Sequence, residues 1–304
     1  MNEYYEKRKE RLVHPDIETK KDFRNELREI TQEIVLSGLA KTDFFENAVF
    51  MGGTALRIIH KLNRYSEDLD FNFINEDKNF KWEKYNSELK KYGEKYGCNF
   101  TFKKDSNDSR NTKSIMLKDE NLGIEIKNEN IVDVEWTKKK AGNYEKVKIR
   151  LDVSYQVGKF NVEKRSINFP DNYKINVFDI SSLYAGKLNA ILTRRDRYGN
   201  DIDEGRDWYD FKWLANKKIE PNYNYLFDKL EKDINYKDKN VIRNIDWLSE
   251  ELINRAKKME YNKINDDIFG FTTRKHKIEL DFDKTKAIIK LLGNNCYMLK
   301  KDKI

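Results

Sequence analysis

The first part of the chain has its apolar residues at helical spacing. Between Thr19 and Val35 they recur every three or four positions, which predicts an amphipathic helix. Gly38 is expected to end this helix, because glycine commonly follows the last helical turn. Residues 1–15 are polar and charged and end at Pro15, so we expect them to form a loosely attached leader.

The next part alternates between strands and helices. A short apolar strand is predicted over Ala48–Met51, and Gly52-Gly53 then leads into a helix predicted over Thr54–Leu62. Alternating polar and apolar residues from Asp68 to Phe73 predict a second strand. A weaker helical pattern follows over Asn79–Tyr96.

Residues 98–165 contain short β-rich segments separated by turns. The predicted strands are Asn99–Lys103, Ser114–Leu117, Ile124–Lys127, Ile131–Trp136, Val147–Tyr155 and Lys159–Arg165. Helical spacing returns afterwards: Asp179 is a favourable N-cap for a helix through Leu192, and Arg206–Leu214 is a second helix. The chain from Asn222 onward is predicted to be mostly helical. The pattern predicts an α+β protein with an α/β domain over residues 1–175 and a helical domain over residues 176–304.

Composition narrows the class of protein. The 304 residues are 38% hydrophobic and 37% charged, with no apolar run long enough for a membrane span and no apolar signal segment. We therefore expect a cytoplasmic protein without a membrane partner. Its two cysteines are far apart in sequence and predict no metal site. The net charge of +7 suits a polyanionic partner but equally fits a lysine-rich composition.

The strand from Asp68 to Phe73 carries the first candidate for chemistry. Residues two apart on a strand share a face, so Asp68 and Asp70 point the same way and Leu69 and Phe71 point the other way. Two neighbouring carboxylates repel each other unless a cation lies between them. This pair therefore predicts a metal site.

Gly52-Gly53 lies just upstream of that pair, at the predicted start of a helix. Glycine allows a tight turn, and the free N–H groups of a helix N-terminus bind anions. An anion site beside a divalent-cation site is what a nucleoside triphosphate with Mg²⁺ requires.

A third acidic group would complete a two-metal site, and the sequence offers two candidates. Asp152 lies on the polar face of the Val147–Tyr155 strand, and it can join Asp68 and Asp70 if the two strands are neighbours. Asp133 and Glu135 alternate with apolar residues in the same way and remain the rival choice.

Four segments then resemble one known family, the AbiEii/AbiGii nucleotidyltransferase toxins, which include the mycobacterial MenT enzymes. They are Met51-Gly-Gly-Thr-Ala-Leu-Arg57 with Arg64-Tyr-Ser-Glu-Asp-Leu-Asp-Phe71, Lys148-Ile-Arg-Leu-Asp-Val153, Leu183-Tyr-Ala-Gly-Lys-Leu188, and Arg206-Asp-Trp-Tyr-Asp-Phe211. In this order they cover roughly residues 20–220. The resemblance implies a DNA polymerase β-like nucleotidyltransferase core with a mixed sheet and flanking helices, followed by a mainly helical domain that completes the active-site cleft.

The resemblance also implies roles for individual residues. Metal binding falls to Asp68, Asp70 and Asp152, with Asp152 near the acceptor. Lys187 and Asp207 are the later catalytic pair, and Asp210 is the alternative acid, although it could instead pair with Arg206. The triphosphate would be held by Gly52, Gly53, Thr54, Arg57, Ser66 and Lys187, with Arg64 as a further candidate.

The residues of the helical half leave other interpretations open. Lys187 lies on the flank of the apolar stripe of its helix, where its stem could simply cover apolar surface. Arg194, Arg195 and Arg197 could bind an RNA backbone or be a solvated run of charge. The aromatic cluster Trp208–Trp213 is more typical of a core than of a base-stacking surface.

The function implied by the family is that of an Mg²⁺-dependent toxin of an AbiE-type toxin–antitoxin or phage-abortive system. It would transfer a nucleotide from a nucleoside triphosphate to RNA, in the MenT case to the 3′ end of tRNA. A cognate AbiEi-like antitoxin is the implied partner, acting by direct binding, modification or repression. One alternative keeps the chemistry but uses a small molecule or a protein side chain as acceptor. Another is a non-catalytic protein that binds RNA or a partner.

Overall fold

The computed structural model describes residues 3–75, 77, 79–104, 112–120, 146–155, 158–234, 236 and 243–301, with side chains up to residue 292. Within these residues, seven strands form one mixed sheet in the order β3-β4-β5-β2-β1-β7-β6. The strands are β1 Ala48–Met51, β2 Leu69–Phe73, β3 Phe100–Lys104, β4 Thr112–Asp119, β5 Val147–Ser154, β6 Val162–Ile167 and β7 Tyr173–Phe178.

Helices flank the strands and make up most of the C-terminal region. In the front half they are α1 Glu3–Leu12, α2 Lys20–Ala40, α3 Phe44–Asn47, α4 Gly52–His60 and α5 Glu83–Glu94. After the sheet come α6 Ile180–Thr193, α7 Gly205–Asn216, α8 Tyr223–Lys232, α9 Ile245–Ala256, α10 Tyr261–Phe271 and α11 Phe282–Lys301. The α+β class and the helical C-terminal region are confirmed. No described helix is both long and apolar enough to cross a membrane.

The described chain groups into two compact units. The first comprises Met1–Val157, Val162–Val177 and Thr273–Lys275, and it contains the sheet. The second comprises Gly158–Asn161, Phe178–Thr272 and His276–Ile304 and is mainly helical. The division into two domains, residues 1–175 and 176–304, stays a prediction.

Helix α2 begins where the sequence indicates but ends later. Thr19 caps it, and the side chains of Thr19 and Asp22 each accept a backbone N–H of the other residue. The prediction that Gly38 ends the helix was wrong. A Cβ at this position would lie 3.0 Å from Leu89 and 3.1 Å from Tyr92, so the glycine permits close packing against α5 instead of ending α2.

The N-terminal segment is a helix packed on the first unit, so the prediction of a loose leader was wrong. Tyr4, Arg8 and Leu12 of α1 are buried. Arg11 forms ion pairs with three glutamates of α2: Glu26 at 2.5 Å, Glu29 at 3.2 Å, and Glu33. Arg11 thus supplies positive charge to three buried carboxylates that are three or four positions apart on α2.

Glu33 gives the first testable prediction. Burial raises the pKa of its carboxyl to about 7, and the charge of Arg11 offsets burial only in part. Since the folded pKa lies above the value of about 4.3 for an unfolded chain, the stabilisation is complete below that value and is lost as the pH rises through 7. Chemical denaturation of wild-type protein should therefore show a free energy of unfolding that falls between pH 4.5 and 7. Glu33→Gln should remove this fall, and Glu46→Gln, at an exposed position, should retain it.

One strand was missed in the sequence. In β7, every second residue is buried: Tyr173, Ile175 and Val177. This alternation is visible in the sequence and could have identified the strand. β7 pairs with β1 in parallel, with Val177 opposite Phe50. Asp179 caps α6 as predicted, accepting the backbone N–H of Ser182. The predicted strands Ile124–Lys127 and Ile131–Trp136, with Asp133 and Glu135, lie outside the described residues.

Candidate active site

The strands bearing Asp70 and Asp152 lie side by side at the centre of the sheet, and Asp68 directly precedes the first of them. β2 pairs with β5 in parallel, and Asp70 is opposite Asp152 in the register. β2 also pairs with β1, where Met51 is opposite Asp70. Residues that face each other across paired strands project to the same side. The strands of Asp70 and Asp152 are therefore neighbours, which is the condition under which Asp152 can join Asp68 and Asp70. Met51, at the end of β1, is followed directly by the glycine turn.

Arg150 is a member of this cluster that the sequence analysis missed. Its guanidinium lies 2.9 Å from the Asp68 carboxylate and 3.2 Å from that of Asp152. Burial lowers the pKa of Arg150, but the charges of Asp68 and Asp152 outweigh burial and raise it overall. Arg150 precedes Asp152 by two residues on the same strand face, which is the signal that could have identified it.

The carboxylates do not form a closed metal cage. Within the described residues, no group of three acidic, histidine or cysteine side chains is arranged to hold a metal ion. This arrangement still fits Mg²⁺, which proteins commonly bind through one or two carboxylates, with substrate phosphates and water as the remaining ligands. Asp68 and Asp70 supply such oxygen donors, and Asp152 lies beside them.

The glycine turn is built around the Asp70 side chain. Gly52 has a φ of +82°, a region that side chains disfavour, and a Cβ there would lie within 3.0 Å of the Asp70 side chain. A Cβ on Gly53 would lie 2.8 Å from Arg64 and 3.0 Å from the Ser66 hydroxyl. The turn therefore brings together Gly52, Gly53, Ser66 and Arg64, and α4 begins at the same point.

Substitution of Gly52 should disturb this arrangement. Gly52→Ala places a methyl group against Asp70 and forces a positive φ on alanine, so we expect a stability loss of about 1–3 kcal/mol. We also expect turnover to fall by more than the loss of folded protein explains. Gly270→Ala is the control, because a Cβ there meets nothing within 4 Å. Thermal unfolding and turnover of both variants check this, and a Gly52→Ala protein with wild-type turnover would contradict it.

Two of the predicted triphosphate ligands have other partners in the structure. Thr54 donates its hydroxyl to the backbone carbonyl of Asp68, so it links α4 to the start of β2. Arg57 is in the last turn of α4, where it bonds Glu29 at 2.6 Å and the Leu62 carbonyl at 2.9 Å. These contacts tie α4 to neighbouring segments, and Arg64 lies at the turn. A role of Thr54 and Arg57 in triphosphate binding stays a prediction.

In the helical unit, Lys187 lies between two buried carboxylates. Its ammonium is 3.0 Å from Asp207 and 2.8 Å from Asp210, whose side chains are 3% and 0% exposed. Arg194 approaches Asp207 from another direction, at 2.7 Å. Burial raises the pKa of Asp207, but Lys187 and Arg194 outweigh burial and lower it to about 2. The sequence analysis paired Lys187 with Asp207 and kept Asp210 as an alternative, and the structure shows that Lys187 contacts both acids.

The contacts in the structure bear on the alternatives left open for this region. Asp210 lies 2.8 Å from Lys187, and Arg206 lies 3.3 Å from Glu204 and 3.8 Å from Asp267; a pairing of Asp210 with Arg206 stays an alternative. Arg194 and Arg195 are in ion pairs, with Glu204 at 2.9 Å and Asp201 at 2.7 Å respectively. Most of the aromatic cluster is core as predicted, because Trp208, Tyr209 and Phe211 are buried.

Comparison with known proteins shows the family of this chain. A family model described as nucleotidyl transferase AbiEii toxin, type IV toxin–antitoxin system, matches residues 34–287. That range includes the four segments on which the resemblance was based. The chain belongs to the AbiEii family. The family resemblance inferred from the sequence is therefore confirmed, and nucleotidyltransferase activity follows as the activity of the family.

A solved structure shares the fold. MenT4, a nucleotidyltransferase toxin from Mycobacterium tuberculosis, superposes with a TM-score of 0.60 and 14% identity, with 95% of this chain and 89% of MenT4 covered. JHP933 from Helicobacter pylori gives a TM-score of 0.49 and 18% identity over 91% and 94% of the two chains. Comparison with curated proteins gave no match. The MenT4 superposition confirms the nucleotidyltransferase core for an AbiEii-family chain.

Proposed function

We propose that this AbiEii-family nucleotidyltransferase is a toxin that uses Mg²⁺ and transfers a nucleotide from a nucleoside triphosphate to RNA. The observation that supports this most strongly is the register of β1, β2 and β5, which aligns the glycine turn, Asp70 and Asp152 in one row. In this proposal the triphosphate would bind at the glycine-turn end of the row, and Asp152 would serve the acceptor at the other end.

The donor side of the proposal uses the glycine turn and the first two aspartates. Asp68 and Asp70 would hold Mg²⁺ together with triphosphate oxygens, and the ion would supply charge stabilisation at the reacting phosphate. The backbone N–H groups at Gly52 and Gly53, with Ser66 and Arg64 beside them, would bind the terminal phosphates. The reaction joins the acceptor oxygen to the α-phosphorus, breaks the bond to the β-phosphate and releases pyrophosphate.

The acceptor side uses Asp152. Its carboxylate lies beside Asp70 and is suited to orient an acceptor hydroxyl and to take its proton as the new bond forms. Arg150 links Asp152 to Asp68 and would keep the two carboxylates close together without a metal ion. In the helical unit, the family resemblance assigns a catalytic role to Lys187 and Asp207, with Asp210 as the second partner of that lysine.

RNA, and tRNA in particular, is the acceptor favoured by the resemblance to the MenT enzymes, and the net positive charge agrees with a polyanion. Nucleoside triphosphates and RNA meet in the cytoplasm, where we place the reaction. A cognate AbiEi-like antitoxin is the proposed partner, in a system that would act against phage. An upstream gene for a winged-helix antitoxin would support this role.

The acceptor class can be tested directly. Purified protein is incubated with each α-labelled nucleoside triphosphate and cell extract, and the products are treated with RNase or protease. We expect one or more nucleotides to label a product that RNase removes. A labelled product that resists RNase but not protease, or that is a small molecule, would contradict RNA as the acceptor while retaining the nucleotidyltransferase chemistry.

A further inference from the structure

The three strands β3, β4 and β5 present one basic face, which continues from Asp152. In the register, Asp152 is opposite Ser114, Arg150 is opposite Met116, and Lys148 is opposite Lys118. On the next strand, Lys103 is opposite Met116. We call Lys103, Lys118, Lys148 and Arg150 the basic strand face.

The opposite face of the same strands is apolar core. Alternate residues on β4 and β5 are buried, among them Ile115, Leu117, Ile149 and Leu151. Because successive residues on a strand point to opposite faces, the basic strand face points away from this core. Lys103 and Lys148 are exposed, and Lys118 is half-buried.

Three of the charges on this face have no ion-pair partner in the described part of the chain: those of Lys103, Lys118 and Lys148. The nearby Glu120 is paired with Lys146 at 2.7 Å, and Lys146, with a smaller contribution from Lys118, lowers the pKa of Glu120. Arg150 alone is engaged, with Asp68 and Asp152, and it lies between the lysines and the acidic cluster.

The position of the face relative to the site is fixed by strand geometry. Strands are about 4.8 Å apart, and two residues along a strand span about 6.7 Å. The three lysines therefore have their backbones within about 15 Å of Asp152. The glycine turn is at the other end of the row, beyond Met51 and Asp70. Donor phosphates at the turn and a second polyanion on the basic strand face would not compete for the same space.

We propose that the basic strand face is the docking surface for the acceptor RNA, holding its phosphate backbone so that the terminal hydroxyl reaches Asp152. This inference rests on the proposed function and adds the location of the acceptor. Lysine contacts to phosphate position a nucleic acid without reading its sequence. The face therefore sets the placement of the acceptor strand, and base identity is read elsewhere.

The test measures RNA binding first without turnover and then in the transfer reaction. Fluorescence anisotropy with end-labelled bulk tRNA over a series of salt concentrations compares wild type with the triple variant Lys103→Ala/Lys118→Ala/Lys148→Ala. Each lost phosphate contact should reduce the slope of log affinity against log salt by nearly one, so we expect a reduction of about 2–3. The KM for the nucleoside triphosphate should stay within about twofold, while the KM for RNA should rise at least tenfold.

The control has the same change in charge elsewhere. Lys90→Ala/Lys164→Ala/Lys174→Ala removes three exposed lysines from α5, β6 and β7, and it should keep the wild-type salt slope. Lys148→Glu alone, at an exposed position, provides a second variant if the triple variant is unstable, and it should weaken RNA binding at least as much as Lys148→Ala. An RNA affinity and salt slope equal to those of the control would overturn the inference.

Failure of this inference can be separated from failure of the proposed function. If wild type labels RNA and the triple variant binds and labels it equally well, the surface assignment is wrong and the function stands. If wild type neither binds nor labels RNA, the RNA acceptor itself is wrong, and the inference fails with it.

Discussion

Asp70→Asn is expected to reduce nucleotide transfer at least 100-fold. The substitution keeps the size of the side chain, but it removes the negative charge that lies at the glycine turn and beside Asp152. Metal-ion stabilisation of a phosphoryl transition state is worth several kcal/mol, and about 1.4 kcal/mol corresponds to a tenfold change in rate. The measurement is kcat/KM for transfer of α-labelled nucleotide under saturating Mg²⁺.

The matching control is Asp43→Asn, which changes one exposed carboxylate of the same unit that is paired with Lys84. It should retain wild-type transfer. Both variants should unfold at temperatures close to that of wild type, since Asp70 is not part of the apolar core. Full transfer by a folded Asp70→Asn protein would show that Asp70 does not bind the metal, and it would contradict the proposed mechanism.

Lys187→Met is expected to have the largest effect on stability. The ammonium lies between Asp207 and Asp210, which have almost no exposed surface. Removing one partner from a buried ion pair commonly costs about 3–5 kcal/mol, because it leaves buried charge without compensation. Chemical denaturation at pH 7 should show a loss in this range. Lys187→Met/Asp210→Asn should recover part of it, because one of the two charges is then absent.

The pH dependence provides a second measure for the same variant. The folded pKa of Asp207 is about 2 in the wild type, below the value of about 3.9 for an unfolded chain. Its stabilisation is therefore present above pH 4 and is lost as the pH falls through 2. Without Lys187 the pKa should rise, so the variant should lose less stability than wild type when acidified. Lys232→Met, at an exposed position, should have the same stability and pH dependence as wild type. If Lys187→Met changes the stability as little as Lys232→Met does, the ion pair is not stabilising.

Much of the donor side of the site could be predicted from the sequence, because local patterns determine it. The alternation around Asp68 and Asp70 fixes their shared face, and a glycine pair before a helix indicates an anion site. Asp152 could not be assigned to the site from the pattern of its own strand, because alternation does not reveal which strands are neighbours. The family resemblance supplied that relation, and the register of β2 with β5 agrees with it.

The features that were missed depend on contacts between distant segments. Gly38 stays within α2 because α5 packs against it, and nothing near Gly38 in sequence indicates α5. The first helix pairs Arg11 with three glutamates of α2, and these partners cannot be identified from the sequence of the segment alone. The resemblance assigned Thr54 and Arg57 to the triphosphate, and their hydrogen bonds to Asp68 and Glu29 are contacts that the sequence does not show.

The fate of the two ends of the triphosphate tests the central claim most directly. Parallel reactions receive the same nucleoside triphosphate labelled at the α- or the γ-phosphate, with acceptor RNA and Mg²⁺, and each is repeated with a chelator. We predict that α-label enters the RNA, that γ-label leaves as pyrophosphate in equal amount, and that the chelator abolishes both. Entry of γ-label into the acceptor, or α-label transfer that continues in the chelator, would contradict a metal-dependent nucleotidyltransferase.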